Sequence, residues 1–137
     1  MRVDAGVAML VYRETVENQR EYLILRRCKN WDGWELPKGH LEHDSHEATV
    51  FVELNEEAGI EPVDVKKLAS LDKYLTFQFE ENQETVVSNF KCFEVEVNVE
   101  TEVDLSKNPF DEHSDYKWVS QNEAKDELEH EEQRNLL

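Results

Sequence analysis

Between Ser45 and Ala58 the apolar residues take up a helical period, and this window constrains the fold of the 137-residue chain more than any other. Phe51, Leu54 and Ala58 fall on one face of the expected helix, with Val50 at its edge. Asp44 or Ser45 can cap its start, and Gly59 stands where a helix C-terminus favours a left-handed residue. The opposite face carries Glu53, Glu56 and Glu57 at i, i+3 and i+4. Three crowded like charges cost stability unless something neutralises them. A divalent cation such as magnesium does so, because it takes carboxylate oxygens and keeps waters free for substrate phosphates. The backbone carbonyl of Gly39, in the loop just before the helix, could add another oxygen. Taken alone, an E-x-x-E-E run is more often a solvated acidic face, so its surroundings decide the reading.

Those surroundings are strands. Ala5 to Tyr12 reads as a buried strand, and Tyr22 to Arg27 pairs with it as a hairpin across a polar turn. Residues 31–34 read as a turn and residues 35–40 as a loop with hinges at Pro37 and Gly39. After the helix, residues 66–79 hold one or two strands. A polar turn over 80–84 and a long strand over 85–97 follow, then an irregular acidic stretch over 99–110. A short strand over 116–119 runs into the capping box Ser120-Gln121-Asn122-Glu123, which opens a second helix. The charged tail from Asp126 to Leu137 reads as helical or frayed. The length suits one domain over residues 1–137. The expected class is α/β (α+β), with a mixed β-sheet sandwiched between α-helices.

The segment from Gly39 to Ile60, GHLEHDSHEATVFVELNEEAGI, resembles the Nudix box. Gly39 matches its opening, and Glu53, Leu54, Glu56, Glu57, Gly59 and Ile60 match its second half. Upstream, Trp34-x-Leu36-Pro37-Lys38-Gly39-His40 looks like the approach to the box in diadenosine tetraphosphate hydrolases. The hairpin before it and the strand-then-helix ending fit the same fold. Two features depart from the pattern. The arginine position of the box is Val52, and the box is one residue short, which leaves Asp44 or Ser45 at its first glutamate position. In the family that glutamate and arginine pair and brace the loop. Losing both is milder than losing one, since neither is left unpaired. Glu42, Asp44 and Glu47 are nearby acids able to take over part of the role.

The resemblance implies roles residue by residue. Glu53, Glu56 and Glu57, with the Gly39 carbonyl, hold magnesium, for which manganese can substitute. A glutamate of that face, or Glu112 in the E-H-x-x-Y-x-W stretch from Glu112 to Trp118, serves as general base. Lys38 and His40 contact phosphate, and Phe77 and Tyr116 sandwich the base. Where the family carries a further phosphate-binding lysine, this chain has Glu84. Trp34 is expected under the loop and Trp31 beside it. His43, His46, His113 and His130 make no zinc pair and are expected at the surface.

Fifteen basic residues against 32 acidic ones give a net charge of −17, a field that repels nucleic acid and anionic membranes. An enzyme of this charge acting on phosphates needs bound cations. Cys28 and Cys92 form neither a zinc motif nor a disulfide framework, and no leader or membrane span is read. The expectation is a cytoplasmic protein, a monomer or small homo-oligomer, whose partner is a small nucleotide. The implied reaction is magnesium-dependent cleavage of a bis(5′-nucleosyl)-tetraphosphate, asymmetrically, to NTP plus NMP. The rivals are hydrolysis of another nucleoside diphosphate derivative and a catalytically weak nucleotide-binding module. The altered box favours the latter, and the retained acids speak against it.

Overall fold

A computed structural model of the chain describes residues 1–42 and 44–137; His43, expected at the surface, lies outside the described residues. Strand β1 (Arg2–Glu14) forms the expected hairpin with β2 (Arg20–Arg27), and two short strands follow, β3 (Gly33–Glu35) and β4 (Lys38–His40). Helix α1 spans His46–Ala58. A long hairpin of β5 (Val65–Glu81) and β6 (Glu84–Val97) comes next, then β7 (His113–Val119) and helices α2 (Gln121–Glu127) and α3 (Glu131–Arg134).

Strands β3, β2, β1, β6 and β5 make one mixed sheet in that order, with β1 and β6 parallel and the other pairs antiparallel. Strands β1 and β2 pair only from Tyr12↔Tyr22 to Glu14↔Arg20 and then diverge. Beyond the split, β4 joins β1 at Gly6–Ala8 and β3 joins β2 at Leu25–Arg27. Leu36 and Pro37 fill the fork, with the Met9 amide donating to the Pro37 carbonyl at 2.9 Å. The segments expected as a turn over 31–34 and a loop over 35–40 therefore contain two sheet strands. Three-residue strands carry too little alternation to announce themselves, and their pairing is set by the divergence of β1 and β2.

One face of the sheet packs Met9, Leu23 and Phe93 against Val50, Leu54 and Ala58 of α1. The other packs Leu10, Ile24 and Phe90 against Ala124, Leu128 and Leu136 at the C-terminal end. The sheet is thus sandwiched between helices. Ser45 caps α1 through its hydroxyl, which accepts from the Ala48 amide at 3.2 Å, and Gly59 ends it at φ +68°. The helix is rolled from the expected orientation. Val50, not Phe51, lies in the core, and Glu53 and Glu57 are buried at its edge rather than facing away. Glu53 lies against the bare Cα of Gly39 on β4, and Glu57 faces His113 on β7. The β5–β6 hairpin closes on Asn82 and Gln83, both left-handed, the geometry of a type I′ turn. Among the described residues no helix is long and apolar enough to cross a membrane.

Candidate active site

The fork between β1 and β2 opens into a cleft of about 800 Å³ bordered by β4, α1, the β5–β6 hairpin and the loop before β7. Its floor depends on two glycines. A Cβ on Gly39 would fall on the Glu53 carboxylate, and one on Gly6 would fall on the Gly39 carbonyl oxygen. Strand β4 can therefore lie flat between β1 and α1 only because both side chains are missing. Gly39 turns its bare Cα toward Glu53, while its carbonyl lies against Gly6.

Glu53 is 6% exposed, and carboxylate oxygens of Glu42, Glu53 and Glu56 lie within 4.8 Å of one another. Burial, together with the charges of Glu57, Glu42 and Glu56, pushes the Glu53 carboxyl up to about 8. Burial and the charges of Glu42 and Glu57 also raise Glu56. Crowded carboxylates, one buried (Glu53), one half-buried (Glu56) and one exposed (Glu42), with no basic partner at hydrogen-bond distance among the described residues, suit a divalent cation, which would let them ionise together. Thr49, fully buried, ties the shortened loop down. Its hydroxyl donates to the Ser45 carbonyl at 3.0 Å and accepts from the Glu42 amide at 3.4 Å.

A second carboxylate, Glu35, lies 1% exposed at the end of β3. Its Oε2 is 2.6 Å from His113 Nε2 and 3.5 Å from Arg27, and its Oε1 is 3.1 Å from Lys38 Nζ. Burial opposes its ionisation, but the His113 hydrogen bond and the charges of Lys38, His113 and Arg27 hold it down at about 2. His113, in turn, is raised to about 9: burial would lower it, but the carboxylates of Glu35 and Glu57 outweigh that cost. Its Nδ1 sits 3.4 Å from Glu57 Oε2, which also accepts from Asn108 Nδ2 at 2.9 Å. Expected at the surface, His113 is instead among the most buried polar groups, because two glutamates from distant segments converge on it.

The cleft gathers Lys38, Gly39, His40, Glu53, Glu56, Glu57, Phe77 and Glu112, and a Glu112 oxygen lies within 4.8 Å of Glu57 and His113. The His40 ring meets Phe90 edge-on at 5.5 Å, and Phe77 lies between Phe90 (5.8 Å, edge-on) and Phe79 (6.2 Å, stacked). An aromatic shelf thus begins beside the acid cluster. Tyr116 does not join it. Paired with Leu25 on β7, it is 38% exposed outside the cleft, on the α1 side of the sheet. Glu84 is drawn off to Arg2 at 3.7 Å. Trp31 lines the cleft in edge contact with His130, and Trp34 packs against the core under α2. His46 is partly exposed and His130 exposed. Sequence reading missed Glu35, Arg27 and Asn108, which carry no motif of their own; the only hint at Glu35 was an acid wedged between Trp34 and Leu36.

Fold and site together define a helix-sandwiched mixed sheet whose ligand cleft is built around clustered carboxylates. The NUDIX domain model matches residues 3–137, and the chain belongs to the Nudix family. An RNA pyrophosphohydrolase of Cellvibrio japonicus (strain Ueda107) is 36% identical over 62 residues, 44% of this chain and 36% of that protein. The match spans roughly a third of the length of such curated relatives. Among solved structures, a C. elegans Ap4A hydrolase binary complex aligns with TM-score 0.74 at 23% identity, over 97% of this chain and 91% of that one. MutT protein from Methanosarcina mazei Go1 aligns with TM-score 0.58 at 28% identity, over 89% and 80%.

Proposed function

We propose that the chain is a magnesium-dependent hydrolase of a phosphoanhydride bond in a nucleoside polyphosphate. The favoured substrate is a bis(5′-nucleosyl)-tetraphosphate, split asymmetrically into NTP and NMP. The observation that carries this reading is the meeting, in one cleft, of the Glu42/Glu53/Glu56 cluster and the Phe77/Phe79/Phe90 shelf, joined by the His40–Phe90 contact. One end suits cation-masked phosphates and the other a flat base. Likeness to an Ap4A hydrolase supports the reading at the level of fold.

Glu53, Glu56 and Glu42 would hold the cation, with Glu57, one helical turn from Glu53, as a further ligand. When bound, it neutralises phosphate charge and lowers the pKa of water. The chain's own residues do the rest. Lys38, held beside Glu35, faces the phosphates as a fixed donor. Phe77 stacks on the base. Glu112, within 4.8 Å of Glu57 and with one oxygen 3.3 Å from Arg27, is the base we assign to the attacking water. The cleft and the charge of −17 disfavour a long RNA as substrate, although the curated relatives act on RNA.

A second reading, a nucleoside diphosphate derivative with one base, is favoured by the position of Tyr116, outside the cleft and so unable to close a sandwich with Phe77. The test is hydrolysis of diadenosine tetraphosphate with magnesium, with products resolved by chromatography, beside the Glu57→Gln variant. ATP and AMP from the wild type, with most of the rate lost in the variant, uphold the leading reading. No cleavage of the dinucleotide, with turnover of nucleoside diphosphate derivatives, moves the assignment to the second. No turnover of either leaves a nucleotide-binding module.

A further inference from the structure

The cleft holds one carboxylate that touches three functional side chains at once and that neither the box nor the proposed mechanism uses. Glu35 lies 2.6 Å from His113, 3.1 Å from Lys38 and 3.5 Å from Arg27. Each of these reaches a different part of the site. His113 presents its other nitrogen to Glu57 at 3.4 Å, Lys38 faces the phosphate end, and Arg27 bridges to Glu112 at 3.3 Å. We propose that Glu35 is the positioning residue of the active site, setting the metal-side carboxylate of Glu57 through His113 and fixing Lys38 and Arg27 against the cleft wall.

The physical case rests on burial and geometry. A carboxylate 1% exposed is costly unless several charged donors satisfy it, and here the donors are themselves site residues. Removing Glu35 therefore takes an anionic partner from all three at once. Nε2 of the imidazole is hydrogen-bonded to Glu35, and Nδ1, with no hydrogen-bond partner among the described residues, faces Glu57 Oε2 at 3.4 Å as an ion pair, so the ring orientation follows Glu35. Asn108 Nδ2 donates to the same Glu57 oxygen at 2.9 Å, a second restraint on that carboxylate. A carboxylate–histidine pair behind a metal-side ligand is a usual way to orient such a ligand, and losing the outer partner costs roughly 10–100-fold in metal affinity or activity. Glu35 thus acts on the chemistry through others and touches neither cation nor substrate.

The inference rests on the hydrolase reading, so its test has a readout independent of turnover. Wild type, Glu35→Gln, His113→Gln and the double variant are titrated with Mg²⁺ alone, following the melting temperature, and then assayed for kcat and KM. Glu35→Gln is expected to fold, to need about 10–100-fold more Mg²⁺ for half-maximal stabilisation, and to lose kcat by a similar factor. Adding Glu35→Gln to His113→Gln is expected to shift the Mg²⁺ midpoint less than twofold further, because both act through one path. A Glu35→Gln protein with a lower metal-free melting temperature but an unchanged Mg²⁺ midpoint would overturn the proposal, as would midpoint shifts that multiply in the double variant. If Glu35→Gln does not fold, His113→Gln decides alone: an unchanged midpoint defeats the relay, and a shifted one upholds it. If the wild type cuts no nucleotide, the hydrolase reading fails while the Mg²⁺ midpoints still test the relay.

Discussion

Replacing Glu53 with glutamine should abolish a pH dependence that burial creates in the metal-free protein. The Glu53 carboxyl has an ordinary value of 4.5 and is raised to about 8 in the fold by burial and by Glu57, Glu42 and Glu56. Between those limits the folded state holds a proton that the unfolded state has released, so stability falls as pH rises. Each pH unit in the window costs at most about 1.4 kcal/mol. From pH 5 to 6.5 the ceiling is about 2 kcal/mol, and solvent at the cleft mouth brings it to about 1 kcal/mol. For a chain of this size that is a drop of about 3–5 °C in melting temperature. Glu56, raised by burial and the same neighbours, adds a smaller slope of the same sign. The interval lies between the windows of the two strongly shifted groups His113 and Glu35. His113, raised from 6.5 to about 9, lends stability that is complete below 6.5 and lost as pH climbs through 9. Glu35, lowered from 4.5 to about 2, lends stability above 4.5 that is lost as pH falls through 2. The assay is thermal melting in EDTA from pH 5 to 6.5, repeated with saturating Mg²⁺. The wild type should lose stability across the interval in EDTA and be flat with Mg²⁺, and Glu53→Gln should be nearly flat in both. A flat metal-free wild type, or an equal slope in the variant, refutes the reasoning.

Gly39→Ala should cost about 1–3 kcal/mol and most of the activity, because the added methyl falls on the Glu53 carboxylate; melts and turnover of the same preparation check this. Phe77→Ala should raise KM about 5–150-fold, the equivalent of about 1–3 kcal/mol of stacking, while leaving inhibition by inorganic tripolyphosphate unchanged. Tyr116→Ala should change KM less than about twofold, since the ring lies outside the cleft; steady-state kinetics on the same substrate would show otherwise if it closes over the base. Thr49→Val should lose about 1 kcal/mol, since two hydrogen bonds of the loop brace go with the hydroxyl, and denaturant melts measure it.

What could be read from the sequence was local. The β1–β2 hairpin, the helix between Ser45 and Gly59 and the capping box at Ser120 each announce themselves within a few residues, and each stands as expected. The short strands β3 and β4 do not, because only the forked pairing of β1 with β2 makes them strands. The roll of α1 is likewise decided from outside the helix. Phe51 has the better apolar side chain, yet burying Glu53 and Glu57 against β4 and His113 turns Val50 inward instead. His113 and Glu35 are 78 residues apart, and Asn108 and Glu57 are 51 apart, so no window of sequence shows either pair. A buried ionisable residue looks the same as an exposed one until its partners arrive from elsewhere.

The charge of the cleft explains why such an acidic chain can serve a phosphate chemistry only through a cation. Eight glutamates line it against Arg27 and Lys38. Both cations are already engaged, Lys38 with Glu35 and Arg27 with Glu35 and Glu112, so neither brings unspent charge to an incoming polyphosphate. Lys38 can still donate a hydrogen bond, because an ammonium carries three donors and its 3.1 Å contact with Glu35 is an ion pair. The electrostatic attraction must come from ions gathered by Glu42, Glu53 and Glu56. Such a cleft selects for the metal complex of its substrate over the free anion, since eight carboxylates repel the bare phosphates and a bound cation reverses the local field.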